Sequence, residues 1–141
     1  MAFQRALVFD FGTRKIGIAA ANRLAGTVTP LRTLPAQAGR PEWHQVAAIV
    51  AEWQPEVLVV GLPRNTDGTD SNMTAAARDF AAELARRTHL PTAEIDERYT
   101  SMEAEDVLRQ QRRSGARTRR VRPGDIDLMA ARLMAETWLR S

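Results

Sequence analysis

The sequence predicts an α/β fold: a mixed five-stranded sheet, three antiparallel strands then parallel crossovers, flanked by helices. Three observations point there. The first third of the chain holds three closely spaced strand candidates joined by turn residues, the pattern of an antiparallel meander. Beyond it, short β-branched and apolar runs alternate with segments of helical period. Strands that alternate with helices are joined by parallel crossovers.

Each element has its own signal. Ala6–Phe11 (ALVFDF) is an apolar run around one acid and suits a buried central strand. Gly12-Thr13-Arg14-Lys15 makes a turn, and Ile16–Asn22 and Gly26–Thr29 supply two more strands. Pro41–Trp53 carries Trp43, Val46, Ala47, Ile49 and Val50 at helical spacing, with proline near its start. Val57–Val60 is a buried strand that Gly61-Leu62-Pro63 ends. Residues 64–71 are polar and contain Asp67-Gly68, a turn-rich loop. Met73–Arg87 is an alanine-rich helix with Phe80 and Leu84 on one face, and Pro91–Asp96 is a short strand. Thr100-Ser101-Met102-Glu103 is a capping-box pattern opening a helix that runs to Gln111. Ser114–Gly124 is a basic loop, and Asp125–Leu139 is the final helix. No repeat or linker divides residues 1–141, so one domain is expected.

Composition narrows the chemistry. With 141 residues, 44% hydrophobic and 26% charged, the chain is long enough for a real core and is neither disordered nor fibrous. There is no cysteine, which excludes a disulfide scaffold, a Cys-ligated zinc site, an iron–sulfur cluster and a cysteine nucleophile. No apolar run reaches the length of a membrane span, and the N-terminus lacks a signal-peptide pattern. A cytoplasmic protein without a membrane partner is expected. The net charge is only +3, but nineteen of the twenty basic residues are arginine, Lys15 being the exception. Half of residues 109–122 are arginine, with no acid among them, a local anion-binding candidate.

Three carboxylates attract a functional reading. Asp10 lies inside an apolar strand, where an acid is costly unless paired, hydrogen-bonded or bound to metal. Glu97 follows Ala93 and Ile95 with period two, on the apolar face as the strand ends, while Asp96 points the other way. On the last helix, Ile126, Met129, Ala130, Leu133, Met134 and Thr137 form an apolar stripe, with Asp127 at its edge. Asp125 lies well off that stripe and reads as a helix N-cap after Pro123-Gly124. Each acid also has an ordinary explanation: a turn-opening Asp, a solvated strand-end Glu, a first-turn acid favoured by the helix dipole. Together, however, the three are placed to converge at one end of a sheet. Bare carboxylates there repel unless divalent cations neutralise them, and oxygen ligands without Cys favour Mg²⁺ or Mn²⁺. A pair of such ions suits in-line phosphoryl transfer to water without a covalent nucleophile. His44 and His89 lack ligand-like spacing and read as surface residues.

These residues carry a resemblance to the YqgF family, also called RuvX. It rests on Asp10-Phe11-Gly12-Thr13-Arg14-Lys15-Ile16-Gly17, on Val60-Gly61-Leu62-Pro63 with Asp67-Gly68-Thr69, on Asp96-Glu97-Arg98-Tyr99-Thr100-Ser101, and on Asp127 entering the last helix. Members are described as Holliday-junction resolvases and as the nuclease maturing the 5′ end of pre-16S ribosomal RNA. The resemblance implies a ribonuclease-H-like fold in which Asp10, Glu97 and Asp127 bind metal and cleave phosphodiesters. Many ribonuclease-H-like enzymes carry an acid where Gly61 ends the fourth strand, so Glu97 must substitute from the fifth. The family usually has Lys two residues before the final acid; Asp125 stands there in this chain.

Several basic and polar residues are placed to touch nucleic acid. Thr13, Arg14 and Lys15 follow Asp10 directly and could hold a phosphate, unless the turn is an ordinary hairpin. Arg64 and Asn65 leave the fourth strand at the same edge, and Arg98 adjoins Glu97. Arg117, Arg119 and Arg120, with Arg112, Arg113 and Arg122, form a loop between Glu97 and Asp127 suited to phosphate-backbone contacts. Trp43, Trp53 and Trp138 read as core or interface residues, Trp138 being one candidate for a dimer surface.

The leading expectation is a metal-dependent, structure-selective nuclease acting on structured RNA such as pre-16S rRNA, on branched DNA, or on both. A resolvase faces a two-fold symmetric junction and should act as a homodimer. Two other classes compete. One is a non-catalytic nucleic-acid-binding ribosome-assembly factor. The other is a phosphotransferase of the actin and sugar-kinase type, whose phosphate loop also begins Asp-x-Gly-Thr but which needs two such domains.

Overall fold

The computed structural model describes residues 3–63, 65, 67, 69–96 and 123–141, with side chains of the last stretch described from residue 128. Its strands are β1 (Arg5–Asp10), β2 (Lys15–Asn22), β3 (Thr27–Gln37), β4 (Arg40–Pro41), β5 (Val57–Leu62) and β6 (Thr92–Asp96). Its helices are α1 (Trp43–Trp53), α2 (Asn72–Thr88) and α3 (Pro123–Arg140). The expected helix from Thr100 to Gln111 and residues 114–122 of the basic loop lie outside the described residues; Pro123 and Gly124, expected in that loop, open α3.

The strands form one sheet in the order β4-β3-β2-β1-β5-β6. β1, β2 and β3 pair antiparallel, while β5 and β6 join parallel to β1. The expected mixed sheet is therefore present, with one more strand than expected. The addition is β4, two residues that return from β3 through the Ala38-Gly39 turn. Both turn residues have positive φ, 51° and 78°, as a two-residue I′ hairpin requires. β3 is also much longer than the expected Gly26–Thr29. Pro30 and Pro35 argue against a strand in the sequence, but β3 lies near the edge, where missing donors are tolerated. The ladder slips once, between Ile18 and Ala19, where Leu31 is the extra residue beside Pro30.

Alternation along β1 divides the core. Leu7 and Phe9 pack with Ile18, Leu34, Leu58, Val60, Phe80 and Leu84 beneath α1 and α2. Ala6 and Val8 pack with Ala19, Val57, Val59, Ala131, Met134 and Trp138 beneath α3. The result is three layers with β1 at the centre of the sheet. Pro41 belongs to β4, and Glu42 precedes α1 as N-cap, so the helix starts two residues later than expected. α2 opens on a capping box between Ser71 and Thr74 and closes on His89 in the left-handed region.

α3 corrects two expectations. It begins at Pro123, so Asp125 lies inside the first turn and is not the N-cap. Proline suits the first helical position, because the N–H it lacks has no intrahelical partner there. The buried stripe is Ala130, Ala131, Met134, Ala135 and Trp138, whereas Met129 and Leu133 are only half-buried and Thr137 is exposed. The helix is thus turned by about a quarter turn from the expected stripe. Small alanines let the helix approach the sheet, and larger side chains flank the contact.

Trp138 is covered in this layer and is not a dimer surface. The Arg23 guanidinium lies 3.8 Å from its ring centroid. Arg23 donates to the carbonyls of Phe3 and Trp138, both at 2.8 Å, and to Ser141 Oγ at 2.9 Å. One residue thereby ties the N-terminus and the end of α3 to the β2–β3 turn. Among the described residues, no helix is long and apolar enough to cross a membrane.

Candidate active site

Asp10 ends β1, the strand with β2 on one side and β5 on the other. Its side chain is half-buried. Alternation puts it on the face of Ala6 and Val8, the face that α3 covers. It pairs with Gly17 of β2, and the β1–β5 register that matches Phe9 with Val60 brings Gly61 beside it. Ile95 of β6 aligns with Gly61 and belongs to the same α3-side core.

The turn after Asp10 is tightly determined. A Cβ on Gly12 would stand 2.5 Å from the carbonyl oxygen of Lys15, so only glycine fits. Thr13 and Arg14 are exposed and Lys15 is half-buried. The backbone of the turn is held from the side. Ala36 N–H donates to the Arg14 carbonyl at 2.7 Å, and Gly39 N–H donates to the Thr13 carbonyl at 2.9 Å.

The loop after β5 also closes on itself. The Pro63 carbonyl accepts from the hydroxyls of Ser71 and Thr74, and Thr74 is fully buried. Asn65 backbone N–H donates to the Thr69 carbonyl, and its amide nitrogen donates to Thr69 Oγ1 at 3.0 Å and to the Asp70 carbonyl at 3.3 Å. Asn65, expected at the nucleic-acid groove, is exposed and also clamps this loop. Asp70 in turn pairs with Arg78 at 2.8 Å, and Arg78 also faces Glu94 of β6 at 3.8 Å. The Asp70 carboxylate beside it raises the Arg78 pKa. Loop, α2 and β6 are therefore linked at the end of the sheet where Asp10 sits.

The other expected site residues fall outside this description. Arg64, Glu97, Arg98, Arg117, Arg119 and Arg120 lie outside the described residues, and Asp125 and Asp127 are described in backbone only. Among the described residues, no group of three or more His, Cys, Asp or Glu could hold a metal ion.

The α3 backbone nevertheless carries positional information. Trp138 is tied through Arg23 to the start of β1, because Arg23 N–H also donates to the Gln4 carbonyl. From Trp138 back to residue 127 the helix rises about 16 Å, and β1 from Arg5 to Asp10 rises about 17 Å. The start of α3 and the end of β1 therefore lie toward the same end of the sheet. Helical spacing also sets position 127 in line with Ala131, Met134 and Trp138, all of them buried against the sheet.

Sequence reasoning missed Arg23 and Gly39. Arg23 gave no signal among so many arginines. Gly39 follows Ala38 in a stretch without strong strand pattern, so its hairpin was not visible. Of the aromatic residues, Trp43 stacks on Phe80 with Arg87 over its ring, on the opposite face of the sheet from Asp10.

A family model described as "RuvX: Holliday junction resolvase" matches residues 4–141. A protein of Marinobacter nauticus named "Putative pre-16S rRNA nuclease" is 43% identical over 137 residues, 97% of this chain and 93% of that one. One of the same name from Alcanivorax borkumensis is 45% identical over 130 residues, covering 92% and 91% of the two chains. Among solved structures, T. thermophilus RuvC in complex with Holliday junction substrate aligns with TM-score 0.55 at 16% identity, over 96% of this chain and 94% of that one. The yeast mitochondrial Holliday junction resolvase Ydc2 aligns with TM-score 0.57 at 13% identity, over 97% and 78%. These last two likenesses are of fold, and they carry the ribonuclease-H-like expectation.

Proposed function

The chain belongs to the RuvX family, and from that premise we propose that it is a single-domain, metal-dependent nuclease that hydrolyses phosphodiesters in structured RNA. The observation that carries the reading is Asp10: a half-buried carboxylate closing the central strand, beside Gly17 and Gly61 and on the face that α3 covers. Relatives named for pre-16S rRNA are more than 40% identical over nearly the whole chain, which favours that RNA as substrate and the cytoplasm as setting. The description of the family model favours a second reading, resolution of branched DNA by a homodimer.

The site is proposed to comprise Asp10, Glu97 and Asp127 as metal-holding carboxylates. A half-buried acid at a strand end fits a hard divalent cation, since an oxygen donor set without sulfur suits Mg²⁺ or Mn²⁺. When bound, a pair of such ions supplies charge neutralisation and Lewis-acid chemistry to the phosphoryl group. Around them, Thr13, Arg14 and Lys15 hold the scissile phosphate in register with Asp10. Arg64, Arg98, Arg117, Arg119 and Arg120 contact the flanking backbone, and Asn65 keeps the β5–α2 loop closed beneath it.

The test is cleavage by purified protein of a labelled RNA spanning the 5′ end of pre-16S rRNA and of a four-way DNA junction, each with Mg²⁺ or Mn²⁺. Asp10→Asn is expected to abolish cleavage while leaving the fold and RNA binding intact. Full activity in that variant would remove Asp10 from the mechanism. Tight binding by the wild-type protein without cleavage in either metal would support a non-catalytic assembly factor instead.

A further inference from the structure

We propose that Gly39 is a positioning residue for phosphate binding: the β3–β4 hairpin acts as a brace that sets the Thr13–Lys15 turn. The inference rests on the reading of that turn as a phosphate holder and adds a residue from outside it. Gly39 is buried, with φ at 78°, and its N–H reaches the Thr13 carbonyl at 2.9 Å. A second bond, Ala36 N–H to the Arg14 carbonyl at 2.7 Å, holds the next residue. The Thr13 and Arg14 carbonyls are thus fixed by the hairpin tip and by β3, and the side chains of both residues are exposed.

The brace also touches the strand that carries Asp10. A Cβ on Gly39 would stand 2.7 Å from Phe11 Cζ and 3.1 Å from Phe11 Cε1. The ring has a backing, since Phe11 packs on Phe80 with centroids 5.3 Å apart and Phe80 stacks on Trp43. Phe11 directly follows Asp10 and precedes Gly12, where an added Cβ would stand 2.5 Å from the Lys15 carbonyl oxygen. Pressure on the ring is therefore passed to the backbone between the acid and the phosphate holder. Close packing makes such a displacement felt at neighbouring groups.

A double-mutant cycle separates positioning from a general loss of stability. Gly39→Ala, Phe11→Leu and the double variant are compared by melting temperature and by anisotropy with a fluorescein-labelled RNA spanning the 5′ end of pre-16S rRNA. Binding is read well below every melting point. Leucine lacks the ring atoms nearest Gly39, while the left-handed φ penalises alanine equally in both backgrounds and cancels. Gly39→Ala should weaken RNA binding about tenfold in the wild-type background, one decade being the effect of a small misplacement of a binding group. In the Phe11→Leu background the same change should weaken it by less than about threefold, as expected once the coupled contact is gone. Equal weakening in both backgrounds, or unchanged binding by a folded Gly39→Ala protein, overturns the proposal. A wild-type protein that does not bind the RNA overturns the nuclease reading and the proposal with it.

Discussion

Replacing Arg23 by methionine keeps most of the side-chain volume and removes every donor, which makes it a clean probe of how α3 is anchored. The guanidinium makes two 2.8 Å bonds to backbone carbonyls and one of 2.9 Å to Ser141 Oγ, and it lies over Trp138. Two of those bonds are solvent-exposed and one is partly buried, so about 1 kcal/mol each is appropriate. The cation–π contact with a nearly covered tryptophan adds about 1 kcal/mol. Against this, Arg23 Nε is buried with no partner among the described residues, which offsets about 1 kcal/mol. The net expected loss is about 2–3 kcal/mol, or a fall of about 5–10 °C in melting temperature for a domain of this size. Thermal unfolding followed by circular dichroism measures it, with urea titration as an independent check. Arg23→Lys should recover only part of the loss, because an ammonium cannot span the Phe3, Trp138 and Ser141 acceptors in one plane. An Arg23→Met protein within about 0.5 kcal/mol of wild type, the range of an ordinary surface change, would show that the guanidinium does not anchor the helix.

Glu56 gives a pH prediction. Its carboxylate accepts the N–H groups of Gln4 and Arg5, first the one and then the other lowering its pKa below the usual carboxylate range. A depressed folded-state pKa stabilises above the unfolded value and is lost as pH falls through the folded one. The melting-temperature gap between wild type and Glu56→Gln should therefore be full at neutral pH and close on acidification; a gap independent of pH refutes it. The arginine loop gives a salt prediction. Combined Arg117→Ala, Arg119→Ala and Arg120→Ala should flatten the log Kd against log salt slope for RNA by about 2 to 3, and an unchanged slope would remove them from the phosphate contacts. On α3, Asp127→Asn should lower cleavage about a hundredfold or more, as loss of one charged group at a phosphoryl site does. Asp125→Asn should leave it nearly unchanged, and the reverse ranking would exchange their roles.

The central strand, the meander, the crossovers and the family were all legible in the sequence because their signals are local. ALVFDF is apolar enough to be central, and Val57–Val60 is too short and too β-branched to be anything but a buried strand. The hairpin at Ala38-Gly39 was not legible. Its stability comes from what it leans on, the Thr13 carbonyl and the Phe11 ring, both more than twenty residues away. The loop role of Asn65 was not legible for a related reason. A polar residue leaving a strand near a presumed site invites a ligand role, yet Thr69 and Asp70 capture its amide first. Short-range hydrogen bonds of this kind compete with any distant partner and cost little entropy to form.

The stripe on α3 shows where hydrophobicity and contact diverge. Summing apolar character favours Met129 and Leu133 over Ala131 and Ala135, because alanine contributes little to a moment. The sheet selects otherwise. Ala19, Ala21, Ala6 and Val8 present a low surface on the α3 side, and Ala131 and Ala135 are fully buried against it. A helix seated through alanines can come closer than one seated through leucines, and its larger side chains then fill the flanks. That seating moves position 127 from the margin of the expected stripe to the line of Ala131, Met134 and Trp138. The packing of Ala131, Met134, Ala135 and Trp138 thus sets the rotation of the whole helix, and with it the angular position of the backbone in its first turn.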